Sequence, residues 1–143
     1  MLGAVSTNPI FCTFIGDKSL SKRPMTRVTN FLNTVGAETV LTNKDYFPMT
    51  INGAEDPLPL HHKITKASAQ IKTGLILAAL NVMGRTSIIE TRKTRDHTEI
   101  LLKYLKVKFK VIKQKDNSTK LVFNGPYELS LIHISEPTRR RGT

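Results

Sequence analysis

Apolar and polar positions along the first quarter of the chain predict a strand, a loop and a helix. The run from Ile10 to Ile15 is apolar, β-branched and aromatic and ends at Gly16, which is typical of a buried strand followed by a loop. Pro24 suits the first position of a helix, and apolar residues then recur at helical spacing until Gly36. Glycine is common just beyond the end of a helix, so we expect the helix to end there.

Shorter patterns predict two strands between the first helix and the next. Residues 37–41 have strand composition, and residues 42–45 have the composition of a turn. Alternation over residues 60–65 predicts a half-buried strand that leads into the following helix. His61 and His62 in this strand have no carboxylate or metal ligand at a diagnostic spacing, which disfavours metal binding and general-base catalysis by the pair.

The most apolar helical stretch begins after Ser68. Small polar residues precede it, and Leu75 to Leu80 is apolar on nearly every face, which predicts an interior helix. The first backbone N–H groups of a helix lack partners within it and the dipole is positive there, so this helix start can bind an anion, with the Ser68 hydroxyl as a further donor. The alternative is that Ser68 serves only as the N-cap.

Basic loops precede two other predicted helices. Lys22 and Arg23 lie at the start of the first helix, where the helix dipole already favours an anion; the alternative is a solvated basic loop. Arg95 ends a polar loop ahead of the third helix, where Asp96 and Glu99 have the spacing of a capping box. Three helix starts therefore combine a dipole with hydroxyl or cationic side chains.

The third helix and the residues after it predict a helix followed by a hairpin. Alternation over residues 106–113 indicates a half-solvated strand, and a turn at residues 115–118 lets residues 120–123 pair back. The predicted apolar face of the helix consists of Ile100, Leu101, Tyr104 and Leu105. The predicted inward residues of the strand are Val107, Phe109 and Val111, with Lys108 and Lys110 outward.

The order of these elements predicts the fold class. Residues 31–37 and 79–85 share the order helix, glycine, strand, within a loose repeat of strand, basic loop, helix and strand. This alternation predicts an α/β (α+β) domain with helices covering one face of a mixed sheet. Periodicity is lost over residues 131–143, which look like a translated cloning or sequencing adapter, so we assign residues 1–130 to the domain and exclude the tail.

Composition and charge limit the classes of partner that the domain is expected to bind. The 143 residues are 39% hydrophobic, enough for one core, and the formal charge is +11. The excluded tail accounts for two of these charges, so the remainder carries +9. A basic protein of this size suggests a polyanionic or phosphorylated partner, and nucleic acid is the commonest one. No Gly-aromatic or Cys/His nucleic-acid motif is present, which makes the charge alone a weak indication.

Cysteine content and apolar run lengths indicate the compartment. The single cysteine, Cys12, excludes an internal disulfide framework and fits a reducing environment. The longest apolar run, Leu75 to Leu80, is too short to span a membrane, and no signal-peptide pattern follows Met1. We therefore expect a soluble, cytoplasmic protein.

Three segments together resemble one enzyme family, the 5-enolpyruvylshikimate-3-phosphate synthases. They are Gly16-Asp17-Lys18-Ser19-Leu20-Ser21-Lys22-Arg23-Pro24-Met25, Ala67-Ser68-Ala69-Gln70-Ile71-Lys72 and Thr94-Arg95-Asp96-His97-Thr98-Glu99. The likeness runs from about Gly3 to Phe123 and is greater to the glyphosate-tolerant bacterial class. It implies part of a two-domain fold of repeated βαβαββ units, with substrates bound in the cleft between the domains.

The resemblance also implies an activity and binding residues. These enzymes transfer the enolpyruvyl group of phosphoenolpyruvate to the 5-hydroxyl of shikimate 3-phosphate and release phosphate, without a metal or organic cofactor. Ser68 and Ala69 match the loop that holds the shikimate phosphate, and Gln70 matches a residue near both substrates. Arg23 matches an arginine that binds phosphoenolpyruvate, and Arg95 a position that contacts the shikimate phosphate. The resemblance implies no nucleic acid, no membrane, and a monomeric full-length enzyme.

Departures from the family pattern limit what the chain can do alone. Thr26 and Lys106 stand where the family usually has glycine, and Lys66 lies in a normally more apolar approach to Ser68. The catalytic Asp, Lys and arginines of the other domain have no counterpart here, so we expect no catalytic residue and no transferase activity in this chain. The Ser68-Ala69-Gln70 and Asp96-His97-Thr98-Glu99 forms disfavour the related enolpyruvyl transferase of cell-wall synthesis. A basic, non-catalytic module that binds nucleic acid or phosphate is the alternative from another class.

Overall fold

The strands form two sheets in the computed structural model, which describes residues 1–127. The first sheet is antiparallel with the order β1-β3-β2, and the second has the order β4-β5-β7-β6. In the second sheet β4 and β5 are parallel and the other pairs antiparallel, so it is mixed. In chain order the strands are β1 (Phe11–Phe14), β2 (Glu38–Thr42), β3 (Tyr46–Asn52), β4 (His61–Ile64), β5 (Gly84–Glu90), β6 (Lys110–Lys113) and β7 (Thr119–Gly125).

Residues 1–127 also form four α-helices, of which α1 precedes the first strand, and one short 3-10 helix. The predicted α/β (α+β) class is confirmed, and the predicted elements follow one another in the predicted order, but β3 was not predicted. No element was predicted ahead of Ile10, where the structure has a helix. The helices are α1 (Leu2–Ser6), α2 (Thr26–Thr34), α3 (Ala69–Ala79) and α4 (His97–Tyr104), and the 3-10 helix is Leu20–Lys22.

Helix α3 lies at the centre of the core, as its apolar sequence predicted. Leu75 and Ile76 are fully buried, and α3 packs on the inner face of the mixed sheet beside Ile88 and Phe123. Helix α1 lies so close to α3 that a Cβ atom on Gly3 would overlap the backbone carbonyl of Gly74 in α3. This close approach explains why glycine is needed in α1.

Two helices end in the same hydrogen-bond pattern. After α2, Gly36 has a φ of 99°, and the N–H of Ala37 donates to Leu32 O at 3.2 Å. After α4, Lys106 has a φ of 59°, and the N–H of Val107 donates to Leu102 O at 2.9 Å. Both are Schellman ends with a left-handed residue, which glycine adopts without strain and lysine does not.

The prediction of a buried first strand is wrong. Within residues 1–127, β1 is an edge strand that pairs only with β3; Phe11 in the strand is 74% exposed, and Ile15 directly after it is 80% exposed. A continuous apolar run predicts burial on both faces only when both faces are covered. Among the described residues, the outward face of β1 is not covered.

The predicted apolar face of α4 is wrong for three of its four residues, since only Leu105 packs, partly buried, against the core. Ile100, Leu101 and Tyr104 are 56%, 54% and 70% exposed, and the buried residues are Leu102 and Glu99. The Glu99 carboxylate belongs to a buried ion pair, described below, so the helix is turned toward α3. The predicted capping box does not form, since Asp96 occupies the N-cap without a side-chain hydrogen bond.

The final hairpin forms as predicted, but its first strand is more exposed than expected. β6 pairs with β7 at the sheet edge, and Val111, predicted to face inward, is 50% exposed. Val107 is buried ahead of the strand, and the Phe109 ring stacks on Phe123 at a centroid distance of 5.2 Å. The predictions for residues 131–143 lie outside the described residues. None of the helices within residues 1–127 has the length and apolarity to cross a membrane.

Candidate functional site

A cavity of about 520 Å³ lies between the start of α3 and the start of α4. Its apolar wall comes from α1, β1, the 3-10 helix, α2 and β3, and its polar wall comes from the two helix starts. The polar wall consists of Ala69, Gln70, Thr73, Arg95, His97 and Thr98. The cavity therefore presents hydrogen-bond donors and one guanidinium on one side and apolar groups on the other.

The start of α3 is built as the sequence predicted. Ser68 is the extended N-cap residue, and its Oγ accepts a hydrogen bond from the Ile71 N–H at 3.3 Å. Within the described residues the N–H groups of Ala69 and Gln70 have no partner. Capping uses Ser68 Oγ as an acceptor and leaves its O–H as a donor, so capping and anion binding are compatible. Ser68 itself lies just outside the cavity lining.

Arg95 is held in place by the residues before it. Glu90, at the end of β5, is 4% exposed, and its Oε1 accepts the Thr94 N–H at 2.7 Å together with the Thr94 hydroxyl. These two bonds fix the loop directly ahead of Arg95. Among residues 1–127 the side-chain ion pairs all involve Lys72, so no carboxylate neutralises the exposed Arg95 guanidinium.

Lys72 was missed as a feature of the site. Its Nζ is buried and lies 2.9 Å from Glu99 Oε1 and 3.3 Å from Glu90 Oε1. A lysine within an otherwise apolar helix was the available signal, because a buried lysine requires a partner charge. The spacing of Asp96 and Glu99 predicted a capping box, so the ion pair of Glu99 with Lys72 was not predicted.

The start of α2 differs from the predicted anion site. Asp45 Oδ1, from the turn between β2 and β3, accepts the N–H groups of Met25 and Thr26 at 3.0 and 2.9 Å, together with the Thr26 hydroxyl. The Thr26 hydroxyl first, and then the two N–H groups, lower the pKa of Asp45 from its ordinary value of 3.8. The helix begins at Thr26 and not at Pro24. A carboxylate of the chain thus occupies the position predicted for an external anion.

Arg23 lies apart from the other predicted site residues. It is exposed at the end of the 3-10 helix, in extended backbone with a φ of −90° and a ψ of 129°. The cavity is lined by Leu20 and Met25 on either side of it in sequence, but not by Arg23. The structure thus brings Ala69, Gln70 and Arg95 together on one cavity, with Ser68 adjacent and Arg23 outside.

The two histidines of β4 make structural contacts, and neither lines the cavity. His61 Nδ1 lies 2.7 Å from Ser87 Oγ, and the His62 ring packs edge-on against Phe31. Burial lowers the pKa of His62 from its ordinary value of 6.5. Among residues 1–127 there is no group of three or more His, Cys, Asp or Glu side chains that could hold a metal ion.

Comparisons with known proteins find one family. The family model described as EPSP synthase (3-phosphoshikimate 1-carboxyvinyltransferase) matches residues 1–131. A 3-phosphoshikimate 1-carboxyvinyltransferase of Paracoccus denitrificans is 49% identical over 102 residues, which are 71% of this chain and 23% of that protein. One from Novosphingobium aromaticivorans is 39% identical over 137 residues, which are 96% of this chain and 31% of that protein.

Solved structures give the same result. The EPSP synthase of Acinetobacter baumannii superimposes with a TM-score of 0.79 at 34% identity, covering 90% of this chain and 28% of that one. The enolpyruvyl transferase NikO of Streptomyces tendae shares the fold, with a TM-score of 0.52 at 16% identity over 84% of this chain and 28% of that one. The chain spans less than a third of the length of these relatives. It belongs to the EPSP synthase family.

Proposed function

We propose that this chain is part of a cytoplasmic enzyme that transfers the enolpyruvyl group of phosphoenolpyruvate to the 5-hydroxyl of shikimate 3-phosphate. The reaction belongs to the shikimate pathway of aromatic amino-acid biosynthesis. One observation carries the proposal: the start of α3 and Arg95, which come from separate motifs, line the same cavity. A phosphorylated substrate needs such a convergence of donors and positive charge.

The phosphate of shikimate 3-phosphate binds at the polar wall of the cavity. The N–H groups of Ala69 and Gln70 and the Ser68 hydroxyl donate to its oxygens at the positive end of the α3 dipole. The Arg95 guanidinium adds charge-assisted hydrogen bonds in a planar fork that suits phosphate. The Gln70 amide, which also lines the cavity, lies near both substrates.

Arg23 binds phosphoenolpyruvate through its side chain. Because Asp45 already occupies the N–H groups at the start of α2, the backbone there does not contribute. Arg23 is exposed, and the residues on either side of it contact the apolar wall of the cavity. A long, exposed arginine beside the cavity can reach the carboxylate or phosphate of this substrate with its planar guanidinium.

This chain alone has no transferase activity. Enolpyruvyl transfer needs groups that donate and accept protons at the reacting atoms, and in this proposal they lie in the rest of the full-length protein. The full-length enzyme is a monomer without a metal, an organic cofactor or a nucleic-acid partner. Incubation of the purified chain with both substrates is expected to release no phosphate, and release above a heat-inactivated control would contradict this.

Amide chemical shifts of the labelled chain test the binding site. Shikimate 3-phosphate is expected to perturb the amides of residues 69–71 and 94–98 with about millimolar affinity, because only part of the full site is present. Shikimate without phosphate should leave these amides unchanged. Arg95→Ala should weaken binding about tenfold, the cost of a charge-assisted hydrogen bond. The matched control is Arg92→Ala, an exposed arginine of the same loop outside the cavity lining.

A titration with duplex DNA tests the alternative of a basic nucleic-acid module. Tight binding whose affinity falls steeply between two salt concentrations would support that module and contradict the proposed enzyme. We expect only weak binding that high salt abolishes, because the net charge of +11 attracts any polyanion.

We also propose that residues 131–143 are not part of the natural protein, because the alternation of apolar and polar residues is lost there. The surrounding nucleotide sequence tests this proposal. A natural reading frame that encodes the same thirteen residues would contradict it.

A further inference from the structure

A buried ion cluster joins the two helix starts that line the cavity. It consists of Lys72 from α3, Glu90 from the end of β5 and Glu99 from α4. Lys72 is 1% exposed, Glu90 4% and Glu99 8%. Lys72 Nζ lies 2.9 Å from Glu99 Oε1 and 3.3 Å from Glu90 Oε1. The cluster places one cation against two carboxylates in the core.

Stability alone does not account for this arrangement. Removing charged groups from water costs free energy that ion pairing only partly offsets, and apolar residues of similar volume are often as stable or more so. The cluster is also incompletely satisfied, since Glu99 Oε2 is buried without a hydrogen-bond partner. An apolar contact between α3 and α4 would join the helices without these costs.

The ion cluster fixes the orientation of the groups that it joins, which an apolar contact does not. The Lys72 N–H donates to Ser68 O at 3.1 Å, so the lysine lies one turn after the proposed phosphate loop. Its partner Glu90 holds the loop ahead of Arg95 through Thr94, at 2.7 Å from the Thr94 N–H. Hydrogen bonds and ion pairs set separation and orientation, whereas apolar contacts permit sliding.

A second link runs parallel to the first. Thr73, the residue after Lys72, and Thr98, the residue before Glu99, have their hydroxyl oxygens 2.8 Å apart. Both threonines line the cavity, so this link lies at the cavity wall and the ion cluster lies behind it. The two links together define how α3 and α4 face each other.

We infer that Lys72 is a positioning residue, which acts through Glu90 and Thr94 to hold Arg95 at a fixed distance from the start of α3. The inference deepens the proposed function and rests on it, because it assigns the cluster to the geometry of the phosphate site. An anion that contacts both segments gains affinity only if the distance between the segments already fits the anion before it binds.

A double-mutant cycle on the full chain tests this inference. The first change is the charge-free set Lys72→Met, Glu90→Gln and Glu99→Met, which leaves no buried charge unpaired. The second change is Arg95→Ala, made in the wild type and in the charge-free set. The readouts are the affinity for shikimate 3-phosphate from amide shifts and the thermal midpoint Tm.

We expect the charge-free set to stay folded and to bind shikimate 3-phosphate about tenfold more weakly. Arg95→Ala should then cost about tenfold in the wild type and less than about twofold in the charge-free set, because Arg95 is already misplaced. Equal costs in both backgrounds, or unchanged binding by the charge-free set, would overturn the inference. Ile51→Val, a core change in β3, controls for lower stability and should leave the cost of Arg95→Ala unchanged.

Two further measurements keep the test decisive. If the charge-free set fails to fold, Glu99→Gln keeps the volume and one acceptor for Lys72, and it should show the same loss of coupling to a smaller extent. If the wild type does not bind shikimate 3-phosphate, the proposed function fails, and amide exchange then tests the positioning role by itself. Amide hydrogen exchange at Thr94 should be at least about tenfold faster in the charge-free set, or in Glu99→Gln if that set does not fold, than in the wild type. Exchange of the β7 amides should not change. Unchanged exchange at Thr94 would overturn the inference whatever the binding result.

Discussion

At the residue scale, Thr26 and Lys106 have structural consequences that the sequence did not reveal. Thr26 donates its hydroxyl to Asp45 at the start of α2. Lys106 ends α4 with a φ of 59°. The threonine adds a hydrogen bond, and the lysine adds backbone strain. The two therefore change the stability of their helices in opposite directions.

Lys106→Gly is expected to stabilise the chain by about 0.5–1 kcal/mol. Glycine relieves the left-handed strain of the Schellman end, although it also increases the entropy of the unfolded chain. Urea denaturation followed by circular dichroism measures the change. Gly36→Ala, at the equivalent end of α2, should destabilise the chain, and a loss of stability on Lys106→Gly would show that the lysine side chain is needed there.

Asp45→Asn is expected to lower the Tm at pH 7 and to flatten the acid side of the stability profile. The pKa of Asp45 is lower in the folded chain than its ordinary value of 3.8, so the folded state favours the carboxylate. Its contribution is fully present above the unfolded pKa and is lost as the pH falls through the folded pKa. Melting curves between pH 7 and pH 2 measure this. An identical difference between the two proteins at every pH would contradict the assignment.

Whether a contact could be predicted depended on how far apart its two residues lie in the sequence. The N-cap role of Ser68 was predicted because its partner, the Ile71 N–H, lies three residues away. The capping of α2 by Asp45 joins residues about twenty positions apart, and the pairing of Lys72 with Glu99 depends on how two helices pack. Local hydrogen bonds follow from residue type and spacing, whereas these contacts follow from the tertiary fold.

At the element scale, α4 shows how helical spacing can indicate the wrong face. Ile100, Leu101 and Tyr104 form an apolar stripe in sequence but are exposed, and Leu102 is buried at 2% exposure. The ion pair of Glu99 with Lys72 rotates the helix so that the turn containing Leu102 meets the core. Periodicity treats glutamate as outward-facing, so the pattern could not predict this rotation.

Leucine truncation on α4 distinguishes the two faces. Leu102→Ala is expected to destabilise the chain by about 2–4 kcal/mol, because it leaves a cavity in the core. Leu101→Ala, the adjacent and 54% exposed leucine, should cost less than about 1 kcal/mol. The free energy of unfolding in urea measures both. Equal costs, or a larger cost at Leu101, would support the face predicted from the sequence.

At the scale of the whole molecule, motif spacing predicted more than composition did. The charge of +11 suggested nucleic acid, whereas the joint occurrence of three short segments indicated the family to which the chain belongs. Of the five predicted binding residues, the fold brings Ala69, Gln70 and Arg95 onto one cavity. The outward position of Arg23 could not be predicted, because it depends on the path of the chain between β1 and α2.

The exposed apolar residues predict self-association of the isolated chain. Phe11 lies on the open edge strand β1, Ile15 directly follows that strand, and Tyr104 lies on the outer face of α4, with 70–80% of each exposed. An unpaired strand edge beside exposed aromatic residues is a template for contact between chains. Sedimentation velocity should therefore show an average mass that rises above 16.0 kDa as concentration increases.

The double variant Phe11→Lys and Ile15→Lys should shift this association to higher concentration, because charged residues protect an edge strand. Both side chains are largely exposed, so the Tm at low concentration should change little. The matched control is Val40→Lys, a 69% exposed residue on the opposite edge strand β2. If the control reduces association as strongly as the double variant, general charge repulsion explains the effect and β1 is not the contact. A constant mass of 16.0 kDa at all concentrations would contradict self-association itself.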